Sequence, residues 1–341
     1  MEERVETALV VGGGSFGTAL GLILARKGAN VRIWVRSPEQ ANAVNTTREN
    51  GKYLKGVNIP PNMVFTSDLR GAVAGVEIVL FAIPTQFLRP LLEDHRSTFP
   101  VGVPLVQSAK GIEVETLKTP FEVMEEELPG KYGKFLCVLG GPSFAKEMAA
   151  NLATNVSVAS PNVALAEKVQ RQMSCRAASF RCYVNVDYLG CEIAGAVKNV
   201  LAIASGASSG IGLGLNARAG LICRGLHEMS SLAKAYGSSL EAMAGLAGVG
   251  DLMLTCSSEL SRNFTVGYRL AKGERLQDII ESTSAVAEGV ATAKSVHDLS
   301  VKLGVDMPIC KQVYAVLYEN ISVHEALGCL QDRPLSHEHH Q

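Results

Sequence analysis

The sequence predicts an α/β N-terminal domain built on a mostly parallel sheet, followed by an all-α C-terminal domain. Three observations carry that prediction. Between residue 7 and about residue 184, short apolar runs alternate with helix-like segments. Near Asp187 the alternation stops, and apolar residues then recur at helical spacing. A glycine cluster, GGGSFG, stands directly after the first apolar run. The expected units are residues 1–187, residues 188–331 and a polar tail, 332–341.

The expected strands are TALVVG (7–12), VRIWV (31–35), MVFT (63–66), EIVLFAI (77–83), PLVQSA (104–109), FLCVLG (135–140) and TNVSVAS (154–160). Each is short, rich in β-branched or aromatic residues and bounded by turn formers. The helical half reads through AGAVKNVLAIASGA, NARAGLICRGLHEMSSLAKAYG, VGYRLAKG, LQDIIESTSA, TAKSVHDLSVKLG and CKQVYAVLYEN, where apolar residues recur every three or four positions.

After the first strand, Gly12, Gly14 and Gly17 satisfy GxGxxG and open a helix near Ser15. Gly12 permits the tight turn, Gly14 lets backbone approach a pyrophosphate, and Gly17 lets the helix pack on the strand. The helix N-terminus favours the cofactor's negative charge, which makes this a Rossmann-type domain for NAD or NADP. The second strand ends at Trp34, Val35, Arg36 and Ser37 without the acid that NAD-selective folds place there. Arg36 either meets a 2′-phosphate, stacks on adenine or remains a solvated loop arginine. Two more loops, FAIPTQFL and QSAKGIE, follow strands and belong at the same sheet edge; the second carries Lys110, which is either a site group or a surface lysine.

In the helical half, AGAVKNVLAI places Lys198 and Asn199 among small apolar residues. Either the Lys198 ammonium snorkels to water, or it lines a site where desolvation lowers its pKa toward the range useful for proton transfer. In GLAGVGDLMLTC, Asp251 reads either as a polar group on a tight turn or as a simple helix cap, with Thr255 following. In SELSRNFTVG, Ser261 is the expected N-cap of a helix whose first turn carries Arg262 and Asn263, a receptor suited to phosphate. The alternative for Arg262 is a structural pair with Asp251.

Composition narrows the function classes. Lys plus Arg (32) nearly cancels Asp plus Glu (33), so no global field argues for nucleic acid or an anionic membrane as partner. An anionic substrate must be held by local charge. The N-terminus does not resemble a secretory leader, and the most apolar stretch is interrupted by Lys198, so no membrane-spanning segment is expected. Eight cysteines without paired or zinc spacing point to reduced thiols in an intracellular protein. No metal site is expected, the histidines of the tail HEHHQ having nothing to fix their geometry.

The stretches GGGSFGTAL, IPTQF, AKGIE, GGPSFAKE, EIAGAVKNVLAI, GLNARAGLICRGL, GLAGVGDLMLTC, SRNFTVG and AVAEGV occur in the order found in the NAD(P)-dependent glycerol-3-phosphate dehydrogenase family, which the chain resembles over nearly its whole length. CSSELSRNFTVG and AVAEGVATA are closest in wording to the kinetoplastid members. The resemblance implies a helical domain like that of 6-phosphogluconate dehydrogenase, and interconversion of sn-glycerol 3-phosphate and dihydroxyacetone phosphate with Lys198 as general acid and base. It implies that Lys110 contacts substrate and cofactor, that Asp251 and Thr255 orient Lys198 and the substrate oxygens, and that Asn199 lies beside the substrate. Ser261, Arg262 and Asn263 would hold the phosphate, with Arg262 also reaching the cofactor. Gly141 and Ser143 would line the nicotinamide and substrate region, and Ser15, Phe16, Arg36, Tyr53, Ala145, Val286 and Glu288 the cofactor. A homodimer is implied. The C-terminus lacks an SKL-like tripeptide, which makes the cytoplasm the expected location.

Overall fold

The computed structural model describes residues 3–282, 287–335 and 337. Its strands are β1 (Thr7–Val11), β2 (Asn30–Trp34), β3 (Glu49–Asn50), β4 (Leu54–Asn58), β5 (Met63–Thr66), β6 (Ile78–Phe81), β7 (Leu105–Gln107), β8 (Leu136–Gly140), β9 (Thr154–Ala159) and β10 (Phe180–Asn185). Eight of them form one sheet in the order β10-β9-β8-β7-β6-β1-β2-β5. Every pairing in it is parallel except β8 with β9. The seven expected strands are all present, and β6 and β8 are buried along their whole length, as a sheet covered on both faces requires.

Two strand features escape the periodicity. The hairpin β3–β4 buries only Asn50 and Leu54 firmly, so it offers no apolar run to detect. Strand β10, FRCYVN, lies at the sheet edge and alternates buried Phe180 and Cys182 with exposed Arg181 and Tyr183. That alternation is legible in retrospect, but the run is too polar to stand out.

After Asp187 the described chain is helical. Asp187 caps the long Tyr188–Gly210 helix by accepting from Gly190 N–H at 3.0 Å, and it also accepts from Ser238 Oγ at 2.8 Å. By length and composition this helix could cross a membrane, yet 89% of its most apolar window is buried inside the protein. It is the core of the helical half, packed against Gly214–Ala235, Asp251–Cys256, Arg262–Ala271, Glu288–Leu303 and Pro308–Tyr318. Being surrounded, it has no polar stripe. A last helix, Val323–Gln331, goes beyond the helices expected from periodicity. Its start is a capping box, in which Ser322 Oγ accepts from Glu325 N–H at 3.2 Å and Glu325 Oε2 from Ser322 N–H at 2.8 Å.

The Tyr188–Gly210 and Arg262–Ala271 helices touch backbone to backbone. A Cβ on Gly206 would collide with the Phe264 carbonyl, and one on Gly267 with the Ile203 carbonyl. This contact fixes where Arg262 stands relative to Lys198. Gly267→Ala is therefore expected to destabilise the helical half by about 2–3 kcal/mol, seen as a lower thermal unfolding midpoint. Gly328→Ala, where a Cβ would meet no atom within 4 Å, is the control and should leave that midpoint unchanged or raised.

Candidate active site

The strands β1, β2, β6 and β7 deliver their following loops to one edge of the sheet, and a cleft of about 780 Å³ opens there. The glycine turn forms its floor. Gly12 has φ +115°, and a Cβ on Gly17 would strike the Gly12 carbonyl, so both must be glycine for the Ser15–Arg26 helix to start where it does. A Cβ on Gly14 would meet no protein atom within 4 Å, leaving its backbone open to the cleft, beside the unsatisfied N–H groups of the helix start. That open cradle fits a pyrophosphate. Ser15, Phe16, Arg36, Tyr53, Lys110, Ser143, Arg262 and Glu288 also line the cleft.

Behind it lies a buried ionic constellation. Lys198 is 5% exposed, Asp251 2% and Thr255 3%, so the Lys198 ammonium does not snorkel to water. Lys198 Nζ donates to Thr255 Oγ1 at 2.8 Å and sits 3.0 Å from Asp251 Oδ1. The other Asp251 oxygen, Oδ2, accepts from Lys110 Nζ at 2.7 Å. Lys110 also donates to the Gly141 carbonyl at 3.2 Å and lies 5.8 Å from the centre of the Phe16 ring. Lys110 therefore joins the buried pair to the open cleft.

Burial pushes the Lys198 pKa down to about 8, even though Asp251 pulls it the other way. For Asp251 burial acts upward, but Lys110 and Lys198 together outweigh it and the carboxyl is held below its ordinary value. Of the two readings for Asp251, a tight turn or a helix start, the structure shows a helix start. Asp251 begins the Asp251–Cys256 helix, directly after a π-helical turn at Leu246–Gly250, which brings Thr255 onto the same face one helical turn later. Thr255 Oγ1 donates back to the Asp251 carbonyl at 2.6 Å.

The third group stands at the N-terminus of the Arg262–Ala271 helix. Ser261 caps it, accepting from Phe264 N–H at 3.2 Å. Arg262 does not pair with Asp251. It reaches across the cleft and donates to Ser15 Oγ at 3.3 Å, while Ser15 donates to the Tyr53 carbonyl at 2.6 Å. Asn263 is buried and accepts from Gly289 N–H at 3.0 Å, which ties this turn to the start of the Glu288–Leu303 helix. Glu288 accepts from Thr85 N–H at 3.1 Å, and desolvation raises its pKa.

Asn199 donates to the Lys110 carbonyl at 2.9 Å and so braces the lysine loop. Ser143 donates to the Gly141 carbonyl at 2.8 Å, at a glycine with φ +125°. Ala145 begins a short helix packed beside the core and is not on the cleft wall. Val286 lies outside the described residues. A larger cavity, about 1020 Å³, lies among helices of the other half and holds none of the candidate groups.

Sequence reasoning missed the groups that hold the glycine turn. Gln40 Nε2 and Asn50 Nδ2 each donate to the Gly13 carbonyl at 3.0 Å, and Asn50 also donates to Thr18 Oγ1 at 2.8 Å. Trp34 and Phe87 line the cleft as well. Trp34 and Gln40 adjoin the strand end already noted, Phe87 lies in the flagged FAIPTQFL loop, and only Asn50, on the unexpected hairpin, carried no signal.

Residues 7–166 match the family described as NAD-dependent glycerol-3-phosphate dehydrogenase N-terminus, and residues 187–328 the corresponding C-terminus. The glycosomal glycerol-3-phosphate dehydrogenase [NAD(+)] of Leishmania mexicana is 48% identical over 95% of this chain and 89% of its own length. The glycerol-3-phosphate dehydrogenase [NAD(P)+] of Leptospira biflexa is 44% identical over 96% of this chain and 98% of its own. Among solved structures, the glycerol-3-phosphate dehydrogenase of Coxiella burnetii superposes with a TM-score of 0.91 at 34% identity, covering 97% of this chain and 100% of that one. The glycine cradle, the buried lysine–aspartate–lysine constellation and these matches along both halves lead to one conclusion: the chain belongs to the NAD-dependent glycerol-3-phosphate dehydrogenase family.

Proposed function

We propose that this cleft interconverts sn-glycerol 3-phosphate and dihydroxyacetone phosphate with NAD(H) or NADP(H), and that Lys198 is its general acid and base. The observation that carries the reading is the Lys198–Asp251–Lys110 constellation beside a cleft walled by Arg262. The Gly12–Phe16 turn would hold the nicotinamide cofactor, which would supply or accept the hydride at C2. In the reducing direction the Lys198 ammonium gives its proton to the C2 oxygen; in the oxidising direction the neutral amine removes the hydroxyl proton. Asp251 and Thr255 hold the lysine in place. Lys110 offers a second positive charge to the substrate oxygens, and Ser261, Arg262 and Asn263 receive the phosphate. A near-neutral protein thus binds a dianion by local charge alone.

The two matched regions support two working units, residues 1–187 for cofactor and 188–331 for substrate. A cytoplasmic location and a homodimer are part of this proposal as the sequence resemblance implies them, against kinetoplastid relatives that carry the word glycosomal in their names. Organelle fractionation and sedimentation velocity test these two points; a glycosomal fraction or a monomer at micromolar concentration would overturn them.

Loss of absorbance at 340 nm with dihydroxyacetone phosphate and either NADH or NADPH is the primary test, and no oxidation of either cofactor rejects the reading. Lys198→Ala is expected to lower kcat roughly a thousandfold while cofactor affinity stays near normal. Because the free-enzyme lysine titrates at about 8, kcat/KM for oxidation should rise through that pH and level off above it, as the base form accumulates. For reduction the sign reverses, with full kcat/KM below that pH and a decline above it. Arg262→Ala should raise KM for the phosphorylated substrate about 10- to 100-fold, far more than it weakens cofactor binding. Equal losses with phosphorylated and unphosphorylated substrates would show that Arg262 does not read the phosphate.

A further inference from the structure

The end of β2 carries no acid in sequence, where folds of this type commonly hold the adenosine ribose of NAD. An acid stands a few residues further on, in the first turn of the Pro38–Thr47 helix, and its side chain bonds a residue of the cleft lining. Ser37 follows Arg36, and both line the cleft. Ser37 caps the Pro38–Thr47 helix, its hydroxyl oxygen accepting from Gln40 N–H at 3.1 Å. The same hydroxyl donates its one proton to Glu39 Oε2 at 2.6 Å. That proton is therefore committed within the protein and is not available to a phosphate. The bond from Ser37 holds Glu39 below the ordinary carboxylate range, so Glu39 is charged at neutral pH. The rim where the adenosine 2′ position is expected thus presents one positive charge, Arg36, and one negative charge fastened to the neighbouring hydroxyl. The other charged residues of the cleft lining include Asp94, on the Leu88–His95 helix, and Lys52, one of each sign.

We propose that Glu39 is a specificity-determining residue for the nicotinamide cofactor. Its carboxylate opposes a 2′-phosphate and withholds the Ser37 proton from it, offsetting the attraction of Arg36. The chain then accepts both cofactors, and the Arg36/Glu39 balance sets the preference between them. This rests on the reading of the cleft as a nicotinamide cofactor site.

Dissociation constants for NADH and NADPH measured on the intact protein test it. Trp34 is the single tryptophan of the chain and lines the cleft, so quenching of its fluorescence reports binding without any turnover assay. Glu39→Gln keeps an acceptor for Ser37 but removes the charge. It is expected to shift the ratio of NADPH to NADH affinity toward NADPH by about fivefold or more, the size of one nearby charge acting through partly aqueous surroundings. Arg36→Ala should move the same ratio in the opposite direction. A merely structural role in the first turn of the helix would lower the melting temperature or weaken both cofactors alike, and would leave the ratio where it was. If the unaltered protein binds both nucleotides and Glu39→Gln leaves their ratio within about twofold of the original, the assignment of Glu39 falls while the cofactor reading stands. If the unaltered protein binds neither nucleotide, both fall.

Discussion

A carboxylate buried between two ammonium groups organises the working part of this molecule. Asp251 meets Lys198 on one oxygen and Lys110 on the other, and the three come from different regions of the chain. At 3 Å each attraction is on the order of 5 kcal/mol for an effective dielectric of about 20, set against a desolvation cost of several kcal/mol per ion. The arrangement is therefore worth little as a source of stability. Its consequence is positional: removing Asp251 leaves two ammonium groups at one site without their counter-ion, whereas removing either lysine leaves a single ion pair. The strand-end loop of Lys110, the Asp251–Cys256 helix and the Tyr188–Gly210 helix are held in register for that reason.

That register also explains how Lys198 is tuned. A lone lysine in such an apolar helix would be neutral or driven to the surface, and one fully paired at the surface would stay near its ordinary pKa. Burial lowers it and Asp251 raises it, and the balance lands near 8. Small residues along the helix are what let the neighbours come so close. Gly206 and Gly267 put the Arg262–Ala271 helix against the lysine helix, so that its first residue, Arg262, stands in the wall of the same cleft. Arg262 and Ser15, 247 positions apart, then meet across it.

The parts of the fold that were legible share one property: enough of their side chains enter the core to leave a continuous apolar run or a helical period in the sequence. The doubly covered strands and the amphipathic helices of the second half announced themselves, whereas the hairpin Glu49–Asn58 and the edge strand Phe180–Asn185 did not, because few of their side chains enter the core. The site was legible in pieces. GxGxxG showed through the backbone demands of its glycines, and Lys198 through a charge placed where none should be. The snorkelling alternative fell only when burial was known, and the pairing of Arg262 with Asp251 fell when both lysines were found on that carboxylate.

By itself the sequence determined what is local: the strand and helix periods, the cap at Ser261, the glycines that must be glycines, and the presence of a cation among small apolar residues. Only the tertiary structure decided what faces what. It gave Lys198 and Lys110 a shared counter-ion, set Asn199 to bracing the Lys110 loop, and brought Arg262 to Ser15 across the cleft. The physical reason is that charges and hydrogen bonds act over a few ångströms, while the groups that meet here are separated by as many as 247 positions along the chain.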